Sequence, residues 1–210
     1  MKLQLALDDL SLDDSLALID KLKNYIDIVE IGTPLIMKEG MKPVREVKSR
    51  FPKLEILADL KIMDAGYYEA EIAFEAGADY ATVLGVTDLL TIKGCVEAAN
   101  KYGKKAVVDM ICVENLPERI KQVEDLGVHI LSVHTGADQQ AAGREPIEDL
   151  EVMSAHVSNA SISVAGGINS KTVKKYAALK PSIIIVGSGI THNADPVAEA
   201  AAIASVLKGE

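Results

Sequence analysis

A closed barrel of eight parallel β-strands joined by helices, the (β/α)8 or TIM barrel, is the fold class this α/β sequence predicts, on three observations. Eight short apolar runs recur along the 210 residues. Longer amphipathic segments separate them, and such strand–helix alternation implies parallel strands with crossover helices. Most residues able to carry chemistry stand at the C-terminal ends of those runs, where barrels of this kind build their active sites. A doubly wound open sheet is the rival, and its nucleotide-binding form would want a G-x-G-x-x-G turn after the first strand. The first run is followed instead by DDLSLDD (8–14), without glycine. A single domain over residues 1–210 is expected, since one core can grow to roughly 250–300 residues before dividing.

The runs justify themselves in order. In LQLALD (3–8), Leu3, Leu5 and Leu7 share a face toward the helices, leaving Gln4, Ala6 and Asp8 to point inward. The following SLDDSLALIDKLKN (11–24) carries Leu12, Leu16, Ile19 and Leu22 at helical spacing. DIVEIG (27–32) ends in Glu30, with Thr33 just beyond. EILADLK (55–61) places Leu57, Asp59 and Lys61 on one face and Ile56, Ala58 and Leu60 on the other. A helix over GYYEAEIAFEAGA (66–78) stops near Gly77, and DYATVLG (79–85) is the fourth strand. Gly103 precedes KAVVDMI (105–111), which ends near Asp109. The helix in ENLPERIKQVEDLG (114–127) closes on Gly127, and HILSVH (129–134) ends in His134. The last two runs, ISVAGG (162–167) and SIIIVG (182–187), end in Gly166 with Gly167 and in Gly187 with Gly189.

Bulk properties narrow the function classes. Lys and Arg number 22 against 31 Asp and Glu, and the resulting net charge of −9 argues against nucleic acid as a partner. No apolar run approaches the roughly 18 residues of a membrane span, and Asp8 and Asp9 interrupt any signal-peptide core. A cytoplasmic location is therefore expected. Cys95 and Cys112 are too few and too far apart for a disulfide scaffold or a zinc site, and both read as buried thiols.

Asp8, Glu30, Asp59, Lys61, Asp109 and His134 converge on one end of the barrel from strands distant in sequence. A lone buried acid or lysine is costly there, whereas a mutually paired cluster is tolerable and often functional. The competing reading is an ion-pair plug that only closes the barrel mouth. The glycines after the seventh and eighth strands, with Ser188, suit a phosphate, because glycine lets backbone N–H groups approach an anion closely. HTGADQQAAGR (134–144) reads as a loop over the substrate; its Arg144 is read as a surface residue, with reach to the anion as the alternative. His129, His156 and His192 fall where surface or structural roles are expected.

DLKIMDAG (59–66) resembles the D-x-K-x-x-D motif of the orotidine 5′-phosphate decarboxylase suprafamily. With DIVEIGTPLI, ADYATVLG, SVAGGI and ADPVAEAA in order around it, the whole chain resembles the 3-hexulose-6-phosphate synthase family. The resemblance implies reversible aldol addition of formaldehyde to D-ribulose 5-phosphate, giving D-arabino-hex-3-ulose 6-phosphate, with Mg2+ or Mn2+ in its place. It implies Glu30 and Asp59 as metal ligands, Lys61 as stabiliser of an enediolate, Asp8 on substrate hydroxyls and His134 as proton carrier. It places Gly166, Gly167, Gly187 and Ser188 around the phosphate, and donates Asp64 across a homodimer interface into the partner's site.

The 3-keto-L-gulonate-6-phosphate decarboxylase family is similar at Asp8, Glu30, Asp59, Lys61, Asp64 and His134. It carries arginines where this chain has Ala137 and Ser188, so decarboxylation is less well supported. Orotidylate decarboxylases need no metal, and pentulose-phosphate epimerases rest their metal on paired histidines, whereas only His134 ends a strand here. A non-catalytic barrel that binds a sugar phosphate is the alternative from another class, and binding alone gives no use for a proton carrier.

Overall fold

A computed structural model of the chain describes residues 1–209. Its strands are β1 Lys2–Leu7, β2 Ile28–Ile31, β3 Glu55–Ile62, β4 Tyr80–Leu84, β5 Lys105–Asp109, β6 Ile130–His134, β7 Ser161–Ala165 and β8 Ile183–Val186. They pair in parallel in sequence order and close into a barrel through β1 and β8. The helices are α1 Leu12–Leu22, α2 Thr33–Glu39, α3 Lys42–Arg50, α4 Gly66–Glu75, α5 Leu89–Tyr102, α6 Leu116–Glu124, α7 Ala137–Ala141, α8 Ile147–His156, α9 Val173–Ala177, α10 Ser188–Thr191 and α11 Pro196–Lys208.

Local chemistry sets these bounds. Ser11 caps α1, its side chain accepting from the Asp14 N–H, and Asp13 and Asp14 sit favourably at the positive end of the helix dipole. Pro34 and Pro43 occupy first-turn positions of α2 and α3, where a missing N–H leaves no helical bond unmade. Gly103 ends α5 in left-handed backbone, as its place before β5 suggests. The structure adds short helices, α7 and α10, inside the loops after β6 and β8.

Two apolar layers form the core. Leu3, Leu5 and Leu7 join the helices in the outer layer. Inside the barrel, Ile28, Leu57, Tyr80, Val107, Ile130 and Ile183 fill the lower interior. Burying each such aliphatic side chain is worth about 1.5–3 kcal/mol, and this plug leaves open space only toward the strands' C-terminal ends.

β3 departs from regular pairing. Ala58 lies opposite Ala81, yet Ile62 lies opposite Val83, so β3 spends four residue steps where β4 spends two. Lys61 takes up the excess with φ of 48°, a left-handed backbone that costs a residue with a Cβ about 1–2 kcal/mol. The thiol expectation needs one correction: Cys95 is buried, but Cys112 is exposed. It lies beyond Asp109, in the turn after β5, where the apolar run has already left the barrel.

Candidate active site

A cavity of about 290 Å³ opens at the C-terminal mouth of the barrel. Asp8, Glu30, Asp59, Lys61, His134, Gly166, Gly167, Gly187 and Ser188 all line it, those on β2, β3 and β6 from inward-facing strand positions and the others from just past the strand ends. Asp64 does not. It is exposed beyond β3, with Oδ1 accepting from the Ala65 N–H at 2.7 Å.

The charged groups form one connected chain across β3, β5 and β6. Lys61 Nζ lies 2.5 Å from Asp59 Oδ2 and 3.7 Å from Asp109 Oδ2. Asp109 Oδ2 also lies 2.7 Å from His134 Nδ1, while its Oδ1 accepts from the Ile111 N–H at 3.0 Å. Burial works against charge on all three, but the opposite charges win. Asp59 and Asp109 hold the Lys61 ammonium above its usual value. The bond and charge of Asp109 hold His134 above 6.5, and Asp109 is itself held below 3.8 by His134 and Lys61.

The acids toward β1 and β2 behave oppositely. Desolvation, then the charge of Asp59, pushes Glu30 up to about 8, although Gln4 Nε2 donates to its Oε2 at 2.6 Å. Asp8, at the open rim, is raised by the same two causes in the same order. The mouth therefore sets Lys61 and His134, whose charged forms their partners favour, against an excess of acidic side chains at Asp8, Glu30 and Asp59, with Asp8 and Glu30 held toward their neutral forms.

That anionic excess is the test of whether a divalent cation fits. Asp59 Oδ1 accepts from Thr82, and its Oδ2 receives Lys61 and Thr33. Of the roughly four lone pairs of a carboxylate, one on Oδ1 stays open. Glu30 has a single donor among the described residues, Gln4. Among the described residues no three His, Cys, Asp or Glu side chains gather as a metal cage. Two carboxylates with room for water and substrate oxygens are what Mg2+ ordinarily takes, so Glu30 and Asp59 fit it.

The rim over β7 and β8 is backbone. Gly166 and Gly167 have φ of 129° and 64°, and a Cβ on Gly189 would stand 2.4 Å from the Ile168 carbonyl. The two glycine turns pack against each other only because they lack side chains. Arg144 takes the surface role, pairing with Asp149 at 2.8 Å away from the cavity. His129 accepts from the Ala106 N–H, His156 lies against the Val152 carbonyl and His192 against Asp9.

Several cavity residues carried no role in the sequence reading. Asp109 was counted there among the converging charges without a role of its own; its partnership with His134 follows from the β5–β6 register, Asp109 opposite Ser132. Gln4 and Thr82 are buried polar residues on inward positions, a signal that alternation does offer. Gln140, from α7, donates to the Thr135 carbonyl at 2.7 Å. No periodicity marks it.

Known proteins are similar to the chain over nearly its full length. A Bacillus subtilis protein named 3-hexulose-6-phosphate synthase is 50% identical over 195 residues, 93% of each chain. The crystal structure of 3-hexulose-6-phosphate synthase from Salmonella typhimurium matches with a TM-score of 0.98 and 54% identity, covering 100% of this chain and 99% of that one. That of 3-keto-L-gulonate-6-phosphate decarboxylase from Vibrio cholerae matches at 0.87 with 27% identity, over 99% and 97%. The profile of the orotidine 5′-phosphate decarboxylase / HUMPS family matches residues 1–203. By that match and by these identities over nearly its full length, the chain belongs to the orotidine 5′-phosphate decarboxylase / HUMPS family.

Proposed function

We propose that this enzyme joins formaldehyde to D-ribulose 5-phosphate, giving D-arabino-hex-3-ulose 6-phosphate, and runs the cleavage in reverse. The observation that carries the choice is at the rim: Ala137 and Ser188 line the cavity at the two positions where the similar decarboxylase family carries arginine. The relatives named 3-hexulose-6-phosphate synthase support the same reading.

Removing a proton from C1, beside the C2 ketone, leaves an enediolate. Its C1 attacks the formaldehyde carbon, and the aldehyde oxygen becomes an alkoxide that takes a proton. Lys61, kept charged by Asp59 and Asp109, faces the developing negative charge. An ammonium held in that state is a poor Schiff-base nucleophile, which must be neutral to attack. His134, oriented by Asp109, takes the C1 proton in its neutral form and returns it to the new alkoxide. Asp8 binds substrate hydroxyls, and the Gly166–Gly167 and Gly187–Ser188 turns receive the phosphate. When bound at Glu30 and Asp59, Mg2+ supplies polarisation of the sugar's carbonyl and neighbouring hydroxyl.

The same reading includes a homodimer in which Asp64 enters the partner's mouth. Asp64 shares a surface depression with Tyr68 and Leu90, which are 67% and 77% exposed. A cytoplasmic setting suits such substrates, and no helix among the described residues is long and apolar enough to cross a membrane.

Purified protein with Mg2+ is expected to consume formaldehyde only when ribulose 5-phosphate is present. CO2 release from 3-keto-L-gulonate 6-phosphate, followed in parallel, should be far slower, and the opposite order would replace the synthase reading by the decarboxylase one. A chelator is expected to stop the reaction. Full activity after chelation would remove the metal assignment.

A further inference from the structure

The most irregular backbone in the barrel coincides with its most charged segment. β3 carries Asp59 and Lys61 through a slip of register against β4, and Lys61 sits at φ 48°. A chain forced into left-handed backbone returns to extended structure unless neighbours hold it. Two hydroxyls from flanking elements do so.

Thr82, on β4 and 5% exposed, reaches the slip from one side. Its Oγ1 accepts from the Lys61 N–H at 2.9 Å and donates to Asp59 Oδ1 at 2.8 Å. One hydroxyl thus ties the backbone of one charged residue to the side chain of the other. Thr33, at the start of α2, approaches from the other side, with Oγ1 2.7 Å from the Asp59 carbonyl and 2.9 Å from Asp59 Oδ2. Further along, Thr87 Oγ1 donates to the Met63 carbonyl at 2.5 Å. The Lys61 ammonium then meets a carboxylate oriented by Thr82 on Oδ1 and by the single proton that Thr33 shares between the Asp59 carbonyl and Oδ2.

We propose that Thr82 and Thr33 are positioning residues for Asp59 and Lys61. Their hydroxyls hold the slipped segment so that carboxylate and ammonium stay at fixed places in the mouth. The proposal rests on the reading of Asp59 and Lys61 given under Proposed function. Valine fits the threonine site but cannot accept from Lys61 N–H or donate to Asp59, whereas serine keeps the hydroxyl and loses only the methyl. The chemistry therefore separates positioning from packing.

The test compares Thr82→Val, Thr82→Ser and Thr33→Val with the wild type. Steady-state kinetics is run with ribulose 5-phosphate and formaldehyde, and hydrogen exchange of the Lys61 amide is followed in the free enzyme. A displacement on the scale of an ångström at reacting groups costs about 100-fold. Thr82→Val should therefore lose roughly 10- to 100-fold in kcat with KM for the sugar phosphate little changed. Thr82→Ser should recover most of that loss while melting earlier than wild type, and the Lys61 amide should exchange faster in the valine variant alone. Wild-type kcat in Thr82→Val, or equal loss in serine and valine variants, would overturn the proposal. Should Thr82→Val fail to fold, Thr33→Val decides, because Thr33 is half-exposed and its loss spares the core. It should show a kcat-selective loss, and unchanged kcat would overturn the proposal. The amide exchange needs no substrate, so an error about the reaction leaves that result standing and an error about the threonines shows in it.

Discussion

Asp109 decides the character of two cations at once. It is 3% exposed, lies 2.7 Å from His134 Nδ1 and forms an ion pair with Lys61 at 3.7 Å. Asp109→Asn keeps the shape and removes the charge, so His134 loses the anion that holds it above 6.5. Its pKa is expected to fall, which imidazole proton NMR titration reads directly. With His134 misoriented in its proposed role as proton carrier, kcat should drop roughly 100-fold, within the range of about 10²–10⁴ that general acid–base groups contribute. Lys61→Ala tests the rival view of the cluster as a plug. Asp59 keeps Thr33 and Thr82, and Asp109 keeps His134 and the Ile111 N–H, so neither acid is stranded by the change. Activity should fall by about 10²–10³, as for loss of one donor to a developing oxyanion, while the urea midpoint moves little. A plug predicts the reverse pattern. At this scale the sequence was informative where strand alternation carries the message: Asp8, Asp59 and Lys61 could be placed facing inward, and Glu30 and His134 at strand ends. It marked Thr33 only as following a strand end, and gave no sign of its contacts with Asp59, which follow from the start of α2 packing beside a slipped strand.

Among the elements, the barrel's floor is held by carboxylates bonded to strand starts. Asp79 accepts from the Ile56 N–H at 2.9 Å, Lys48 Nζ at 2.7 Å and Lys104 Nζ at 2.6 Å, joining β3, α3 and the entry to β5. Burial raises its carboxyl, but the two ammonium groups and the amide hold it below the ordinary 3.8. A depressed carboxyl stabilises the fold above its unfolded value, and that contribution is lost as pH falls through the lower, folded one. Asp79→Asn should cost about 2 kcal/mol at pH 7, the scale of a hydrogen bond to a charged group reduced for partly solvated lysines. The gap from wild type should close as pH drops below 3.8. Urea midpoints at pH 7 and in steps below pH 4 measure it; a gap constant across that window would contradict the clamp. Helix and strand positions were legible to within a few residues because apolar period and glycine stops mark them. The slip in β3 was not. EILADLK alternates cleanly as a sequence, and only pairing with β4 shows that two residues are in excess.

For the whole molecule, the remaining acid of the D-x-K-x-x-D segment is the question. Asp59 and Lys61 enter their own cavity, whereas Asp64 points away from it on a loop beside Met63, 55% exposed, Tyr68 and Leu90. Such an apolar rim around an unused carboxylate suits a surface covered by a second copy. If Asp64 serves the partner, its effect must obey two-fold symmetry: each site takes Lys61 from one chain and Asp64 from the other. Lys61→Ala and Asp64→Ala, each nearly inactive alone, are mixed, unfolded and refolded together. In a mixed dimer, one site then pairs the intact Lys61 of one chain with the intact Asp64 of the other. Random reassortment makes half of the dimers mixed, with one good site in two, so about a quarter of wild-type activity should return. If Asp64 worked within its own chain, no combination would restore a complete site and the mixture would stay inactive. Leu90→Asp, placing a charge on the apolar rim, gives the independent arm. Sedimentation should show a monomer, and that monomer should be as inactive as Asp64→Ala while still unfolding cooperatively. An active monomer would sever Asp64 from the partner's chemistry and return the whole site to one chain.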